Sequence, residues 1–142
     1  MRQMIIATHG DFSKGIKQSL QMIAGESADE IITYQLRPGE SASDFAEELS
    51  KNLASDKQYL ILGDLFGASV VNSFVPLTQE QNVFLVSGVN LNLALEFLLT
   101  PGELTEDLVD TVISNARDGI KRVQLIEEDN DDFWKWVEIN ET

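Results

Sequence analysis

The chain has 142 residues, with 24 acidic and 10 basic side chains, a formal net charge of −14 and no cysteine. This length suits one domain with its own apolar core. The lack of cysteine excludes disulfides and zinc–thiolate sites, and the negative charge argues against nucleic acid and anionic membranes as partners. The lack of cysteine also fits a reducing cytosol. No apolar run approaches the length of a membrane span, and no signal peptide is expected.

The first predicted strand covers residues 3–8, a continuous apolar run of the length typical of a strand buried on both faces. A helix should follow it, because apolar residues recur at helical spacing at Phe12, Ile16, Leu20 and Ile23. The only histidine of the chain, His9, lies between the two. Strand ends that lead into helices form the ligand-binding edge of open α/β sheets. A lone histidine is otherwise most simply a hydrogen-bonded loop residue.

Further strands and helices alternate along the rest of the chain. β-branched and apolar runs predict strands over residues 30–36, 58–63, 82–87 and 120–126, the last more polar and therefore expected at an edge. Helices are predicted over residues 41–54, 69–75 and 91–99, with a last helix ending at Gly119. Thr100 is the predicted N-cap of that last helix, because Thr-Pro-Gly-Glu has the form of a capping box.

This alternation predicts a doubly wound, mostly parallel α/β sheet with helices on both faces. Right-handed crossovers with a reversal after the first strand give the order 2-1-3-4. The ends of strands one, three and four then share one cleft. That cleft would bring together His9, Asp64, Ser69 and Asn90, with Thr8 and Gly10 as further lining.

A histidine and an aspartate at such an edge suit phosphoryl transfer. A neutral imidazole can accept a phosphoryl group on one ring nitrogen while the other keeps its proton, and a carboxylate at Asp64 would fix that tautomer. The Gly67-Ala68-Ser69 turn would offer amides and a hydroxyl to phosphate oxygens. The structural alternative is that Asp64 and Ser69 only cap the following helix.

Other enzyme classes lack their defining residues. The sequence contains neither a P-loop nor a GxSxG elbow, and Thr8 rather than an arginine stands directly before His9, unlike in a histidine phosphatase. A receiver domain would need paired acids where Thr8 and His9 stand. Scattered surface acids with one histidine are weak evidence for a metal site. A flavodoxin stays open, because Thr8 and Ser13 could line a phosphate loop.

Four segments together carry a family resemblance. Residues 5–10 (IIATHG), 37–40 (RPGE), 62–69 (LGDLFGAS) and 87–90 (SGVN) occur in the order and at the spacing of the mannose-type IIA component of the bacterial sugar phosphotransferase system. The chain resembles that family over residues 1–126, which we interpret as the phosphocarrier domain. We interpret residues 127–142 as an acidic turn and an aromatic tail of the same domain. The conformation of the tail is not predicted, and the tail has no counterpart in the family's sequence pattern.

The resemblance implies a function and its partners. A histidine at the place of His9 is phosphorylated by the carrier HPr and passes the phosphoryl group to a IIB component, here a separate protein, that serves the membrane components IIC and IID. An aspartate at the place of Asp64 bonds the imidazole, a serine at the place of Ser69 lies by the phosphoryl group, and no cofactor or metal is implied.

The resemblance also implies an assembly and a location. The family forms a homodimer that exchanges an antiparallel fifth strand, here residues 120–126. The protein would be cytoplasmic and peripherally associated with the transporter. The alternative is a regulatory relative whose phosphorylation state controls a protein partner. The transported sugar is not predicted.

Overall fold

The computed structural model describes residues 1–125 and contains one four-stranded sheet. The strands are β1 (Arg2–His9), β2 (Ile32–Leu36), β3 (Gln58–Gly63) and β4 (Val83–Val86). They lie in the order β2-β1-β3-β4, and every neighbouring pair is parallel. The predicted doubly wound sheet and its strand order are therefore confirmed.

Five α-helices connect and follow these strands within residues 1–125. They are α1 (Phe12–Ala24), α2 (Ala42–Lys51), α3 (Ser69–Phe74), α4 (Leu91–Leu99) and α5 (Glu106–Asp118), with short 3₁₀ turns over Gly25–Ala28 and Val75–Gln79. Helices α1, α4 and α5 cover one face of the sheet, and α2 and α3 cover the other. Among the helices described, none combines the length and apolar character needed to cross a membrane.

Strand β1 lies at the centre of the molecule because both of its faces are buried. Met4 and Ile6 belong to the core under α1, α4 and α5, whereas Ile5 and Ala7 belong to the core under α2 and α3. Side chains alternate between the two faces of a strand, so a continuous apolar run fills both cores. The strand leaves the core only at its last residue, His9.

The buried face of α1 differs from the predicted one. Ile16 and Leu20 are buried, but Phe12 and Ile23 are 53% and 56% exposed, and Ser13 is completely buried in their stead. Each helical residue advances about 100° around the axis, so the face centred on Ser13, Ile16 and Leu20 turns Phe12 away from the sheet.

The predicted cap at Thr100 is wrong. Helix α5 begins at Glu106, and its N-cap is Thr105, which accepts a hydrogen bond from the Leu108 amide. Gln58 explains the shift, because its side chain accepts from the Leu104 amide at 2.7 Å and donates to the Leu104 carbonyl at 2.8 Å. These two bonds hold the backbone before Thr105 against the sheet. Thr100 instead ends α4.

The predicted fifth strand is absent from the sheet of this single chain. Residues 120–125 follow α5 without regular structure, and Ile120, Val123 and Leu125 are 65–75% exposed. A short segment of mixed polarity adopts strand geometry only when another strand pairs with it. Exchange between subunits therefore stays a prediction. Ile126, the predicted acidic turn and the aromatic tail lie outside the described residues.

Candidate active site

His9 stands at the carboxyl edge of the sheet, where β1 ends. Its side chain is 51% exposed, although the five residues before it are buried. Gly10 turns the chain with a φ of 56°, a conformation that favours glycine, and its amide donates to the Leu36 carbonyl at 2.9 Å. The histidine is thus carried on a rigid strand with its imidazole accessible from solvent.

Asp64 holds this imidazole from the neighbouring strand. Its Oδ2 atom lies 2.8 Å from Nδ1 of His9 and also accepts a hydrogen bond of 2.8 Å from the His9 backbone amide. One carboxylate oxygen therefore fixes both the main chain and the ring of the same residue. The prediction that His9 and Asp64 meet is confirmed by these contacts.

The charge of Asp64 decides which ring nitrogen carries the proton. Burial raises the pKa of the Asp64 carboxyl. The hydrogen bonds from the amide and ring of His9 lower the pKa by more than burial raises it, so that the pKa lies below its ordinary value. An ionised carboxylate can only accept, so Nδ1 donates to it. The Nε2 atom then keeps its lone pair and is the ring nitrogen that could act as a nucleophile. The second oxygen, Oδ1, is buried without a partner among the described residues.

The position of Asp64 follows from the close packing of α3 on the end of β3. A Cβ atom on Gly63 would collide with the Val71 side chain, so only glycine allows the helix to approach there. Asp64 follows directly and points back toward β1. The alternative that Asp64 caps α3 is wrong, because the N-cap of that helix is Ala68 and Asp64 bonds to His9 instead.

The turn before α3 is exposed and carries the predicted phosphate-binding residues. Gly67 has a φ of 83°, and the Ala68 amide donates within the turn to the Leu65 carbonyl at 3.2 Å, so that amide is already used. Ser69 is the first residue of α3 and is exposed. Its hydroxyl has no hydrogen-bond partner within residues 1–125, so the capping role considered for Ser69 is wrong. Phe66, in the same turn, is 85% exposed.

Two of the predicted cleft residues have structural roles. Thr8 is fully buried and does not line an open cleft; its hydroxyl accepts from the Ser13 amide at 2.8 Å and so caps the first turn of α1. Asn90 is the N-cap of α4, and its side chain accepts from the Leu93 amide at 2.9 Å. Capping is a common use of such residues at helix starts, which explains why both occur at this edge.

One feature of the site was not predicted from the sequence. Arg37, which follows β2, forms an ion pair with Asp11 through Nη2 and Oδ1 at 2.6 Å. Arg37 was interpreted only as part of a loop. This ion pair could have been predicted, because β1 and β2 are neighbours and the two residues come just after the ends of these strands.

A doubly wound sheet that carries an exposed histidine, oriented by an aspartate from the adjacent strand, has the form of a phosphotransferase component. The family model described as the PTS system fructose IIA component, of the mannose type, matches residues 3–113. The chain belongs to this family of phosphotransferase-system IIA components.

Individual relatives agree with this assignment. The chain is 31% identical to the fructose-specific EIIA component of Bacillus subtilis over 102 residues, and this aligned segment covers 69% of each of the two chains. It superimposes on the phosphotransferase component EIIA of Streptococcus agalactiae with a TM-score of 0.75 and 31% identity, covering 86% of this chain and 97% of that one. The mannose/sorbose-specific IIA subunit of Enterococcus faecalis gives a TM-score of 0.75 and 26% identity, covering 90% and 98%.

Proposed function

We propose that this protein carries a phosphoryl group on Nε2 of His9, accepts it from phosphorylated HPr and donates it to a separate IIB protein during sugar uptake. The observation that carries the proposal is the double use of Asp64 Oδ2, which bonds the amide and the ring of His9 at 2.8 Å each. This arrangement orients a nucleophilic nitrogen toward solvent, where a second protein can bring its own phosphohistidine.

The transfer step uses only groups of the two proteins. The Nε2 lone pair of His9 attacks the phosphorus of the donor phosphohistidine, a new N–P bond forms, and the donor imidazole leaves with the electron pair of the old one. The proton on Nδ1 stays there, and Asp64 stabilises the positive charge that develops on the ring. Bond types are the same before and after, so positioning and charge stabilisation supply most of the catalysis.

The turn over residues 67–69 would receive the phosphoryl oxygens. The exposed Ser69 hydroxyl is free of other hydrogen bonds within the described part of the chain, and the Gly67 amide likewise has no partner there. Helix α3 has only six residues, so its macrodipole adds little to these direct contacts. Ser69 and Gly67 are therefore the proposed phosphoryl-binding groups, whereas the Ala68 amide is already occupied within the turn.

The direct test is incubation with phosphoenolpyruvate, Enzyme I and HPr, followed by intact mass measurement. We expect a single phosphoryl addition that is lost in acid and that moves to an added IIB protein. Chelator added after removal of Enzyme I should leave the second step unchanged, because no metal takes part in the proposed chemistry. A phosphorylated protein that transfers nothing to any IIB partner encoded beside it would support a regulatory role instead.

We also propose that the protein is a homodimer, cytoplasmic and peripherally associated with the IIC and IID components. Strand β4 is the last strand of the sheet on its side, and the exposed apolar side chains Ile120, Val123 and Leu125 suit a segment that pairs with a second subunit. Light scattering at micromolar concentration should give a dimer, and truncation after Gly119 should give monomer or aggregate. A monomeric full-length chain would contradict this assembly.

A further inference from the structure

The inference concerns Asp11, an acid at the start of α1 whose carboxylate is not used by the helix. Asp11 is the N-cap residue of α1, but its side chain makes no capping hydrogen bond. The hydroxyl of Thr8 instead caps the helix by accepting a hydrogen bond from the Ser13 amide. Aspartate is favoured at N-caps because its oxygen accepts from the first helical amides. Here that usual reason for an aspartate is absent, and the carboxylate is turned toward Arg37.

The partner of Asp11 is held in place by its own loop. Arg37 donates from its backbone amide to Oε1 of Glu40 at 2.8 Å, and the Glu40 amide donates to the Arg37 carbonyl at 3.1 Å. The Gly10 amide bonds the carbonyl of Leu36, the residue before Arg37. The loop that follows β2 is therefore closed on itself and joined to the turn that follows His9.

The charges at this edge explain what the ion pair does. Asp64 must be ionised to orient the ring, and Asp11, two residues beyond His9, adds a second negative charge. A phosphoryl group on His9 brings further negative charge to the same place. Like charges repel through solvent, and the repulsion weakens if an opposite charge neutralises one of them. Arg37 supplies that opposite charge at 2.6 Å from Asp11.

We propose that Arg37 is a positioning residue that neutralises Asp11, so that His9 accepts a phosphoryl group without repulsion from an unpaired carboxylate beside it. This inference rests on the proposed phosphoryl chemistry of His9. The ion pair itself adds little to folding stability, because the two side chains are 48% and 67% exposed and exposed pairs contribute little. Its effect is therefore on the rate of phosphoryl acceptance.

The test uses phosphoramidate, a small phosphoryl donor, so that no protein partner is needed. Phosphorylation of His9 is followed by intact mass in about 20 mM NaCl, where screening is weak. We expect Arg37→Gln to slow the reaction by roughly threefold to tenfold, since the Asp11 charge is then uncompensated. Asp11→Asn should react at or above the wild-type rate, and the double variant should recover to within about twofold of wild type.

Controls separate this role from a structural one. Lys51→Gln, at an exposed position at the far end of α2, removes the same charge at the opposite edge and should leave the rate unchanged. In about 1 M NaCl, where the Debye length is only about 3 Å, the deficit of Arg37→Gln should largely vanish. A structural ion pair would instead slow both single variants equally and would not be rescued by the double variant.

The outcomes are distinguishable from those of the proposed function. A wild-type rate for Arg37→Gln, or a double variant as slow as the single one, would overturn the role of Arg37. Failure of HPr to phosphorylate a protein that phosphoramidate does modify would overturn only the proposed partner. If phosphoramidate leaves wild-type His9 unmodified, the same variants are compared with phosphorylated HPr as the donor, and a wild-type rate for Arg37→Gln there overturns the role of Arg37. If neither donor modifies wild-type His9, both the proposed chemistry and this inference are wrong.

Discussion

The two edges of the sheet differ in how some of their polar side chains are used. At the amino edge, Arg2 donates to three backbone carbonyls, Gln58 makes two bonds to Leu104, and Asn82 donates to two further carbonyls. These side chains serve to fix loops. At the carboxyl edge, the Nε2 atom of His9, the Oδ1 atom of Asp64 and the Ser69 hydroxyl have no hydrogen-bond partner among the described residues.

The groove at the amino edge does not contain the candidate site. A groove of about 1300 Å³ lies at the amino edge, and its lining includes Arg2, Gln58 and Asn82 but neither His9 nor Asp64. Three polar side chains of this lining, Arg2, Gln58 and Asn82, already bond backbone groups. At the carboxyl edge, the half-exposed imidazole of His9 is accessible to another protein. The contact between His9 and Asp64, rather than cavity volume, therefore identifies the candidate site.

The largest expected effect comes from removing the proposed nucleophile. His9→Ala should abolish phosphorylation in the Enzyme I and HPr incubation, because the chain has no other histidine. The variant should still fold, since the side chain is half exposed and lies outside both cores. It should lose about 1 kcal/mol of stability, because Asp64 loses its bond to the ring. Acid-labile phosphate on the variant, measured by intact mass, would contradict the assignment.

The next effect is on the residue that orients the nucleophile. Asp64→Asn keeps the shape of the side chain but adds a donor, so the Nδ1 proton is no longer fixed. Phosphoryl acceptance should slow by about 100-fold or more, while the free energy of unfolding falls by about 1 kcal/mol as charge-assisted bonds weaken. Asp56→Asn, an exposed acid lining the groove at the amino edge, is the matched control and should leave the rate unchanged. A near-wild-type rate for Asp64→Asn would remove Asp64 from the site.

The amino edge should show the reverse behaviour. Arg2→Gln removes bonds of 2.7, 3.0 and 2.8 Å to the carbonyls of Phe97, Thr100 and Gly102. Urea unfolding should give a loss of about 1–2 kcal/mol, because these carbonyls are only partly buried and can turn to water. Phosphoryl acceptance should stay at the wild-type rate. A slower rate with unchanged stability would mean that the two edges are not functionally separate.

The sequence predicted the parts of the molecule that local patterns control. The apolar run of β1 and the polar residues that end β1 and β3 were enough to place His9 beside Asp64. It could not predict features set by contacts distant in sequence. Gln58 moves the start of α5 to Thr105 from another strand, and Thr8 takes over the cap that Asp11 would otherwise supply. The sequence likewise did not show that the N-cap of α3 is Ala68, which leaves the Ser69 hydroxyl without a capping bond.

The smallest expected effect is the acid dependence of stability, which tests whether Asp64 is charged in the folded protein. Its folded pKa lies below the ordinary value of 3.8, because the bonds from His9 outweigh burial. A depressed pKa stabilises the folded state at a pH above the unfolded value, and this contribution is lost as the pH falls through the folded pKa. The free energy of unfolding, measured with urea, should therefore fall more steeply for the wild type than for Asp64→Asn as the pH drops from about 5 to below 3.8. Asp56→Asn, which keeps the Asp64 carboxylate, should follow the wild-type slope. Parallel curves for wild type and Asp64→Asn would mean that His9 does not stabilise the charge of Asp64, and the proposed fixed proton on Nδ1 would lose its support.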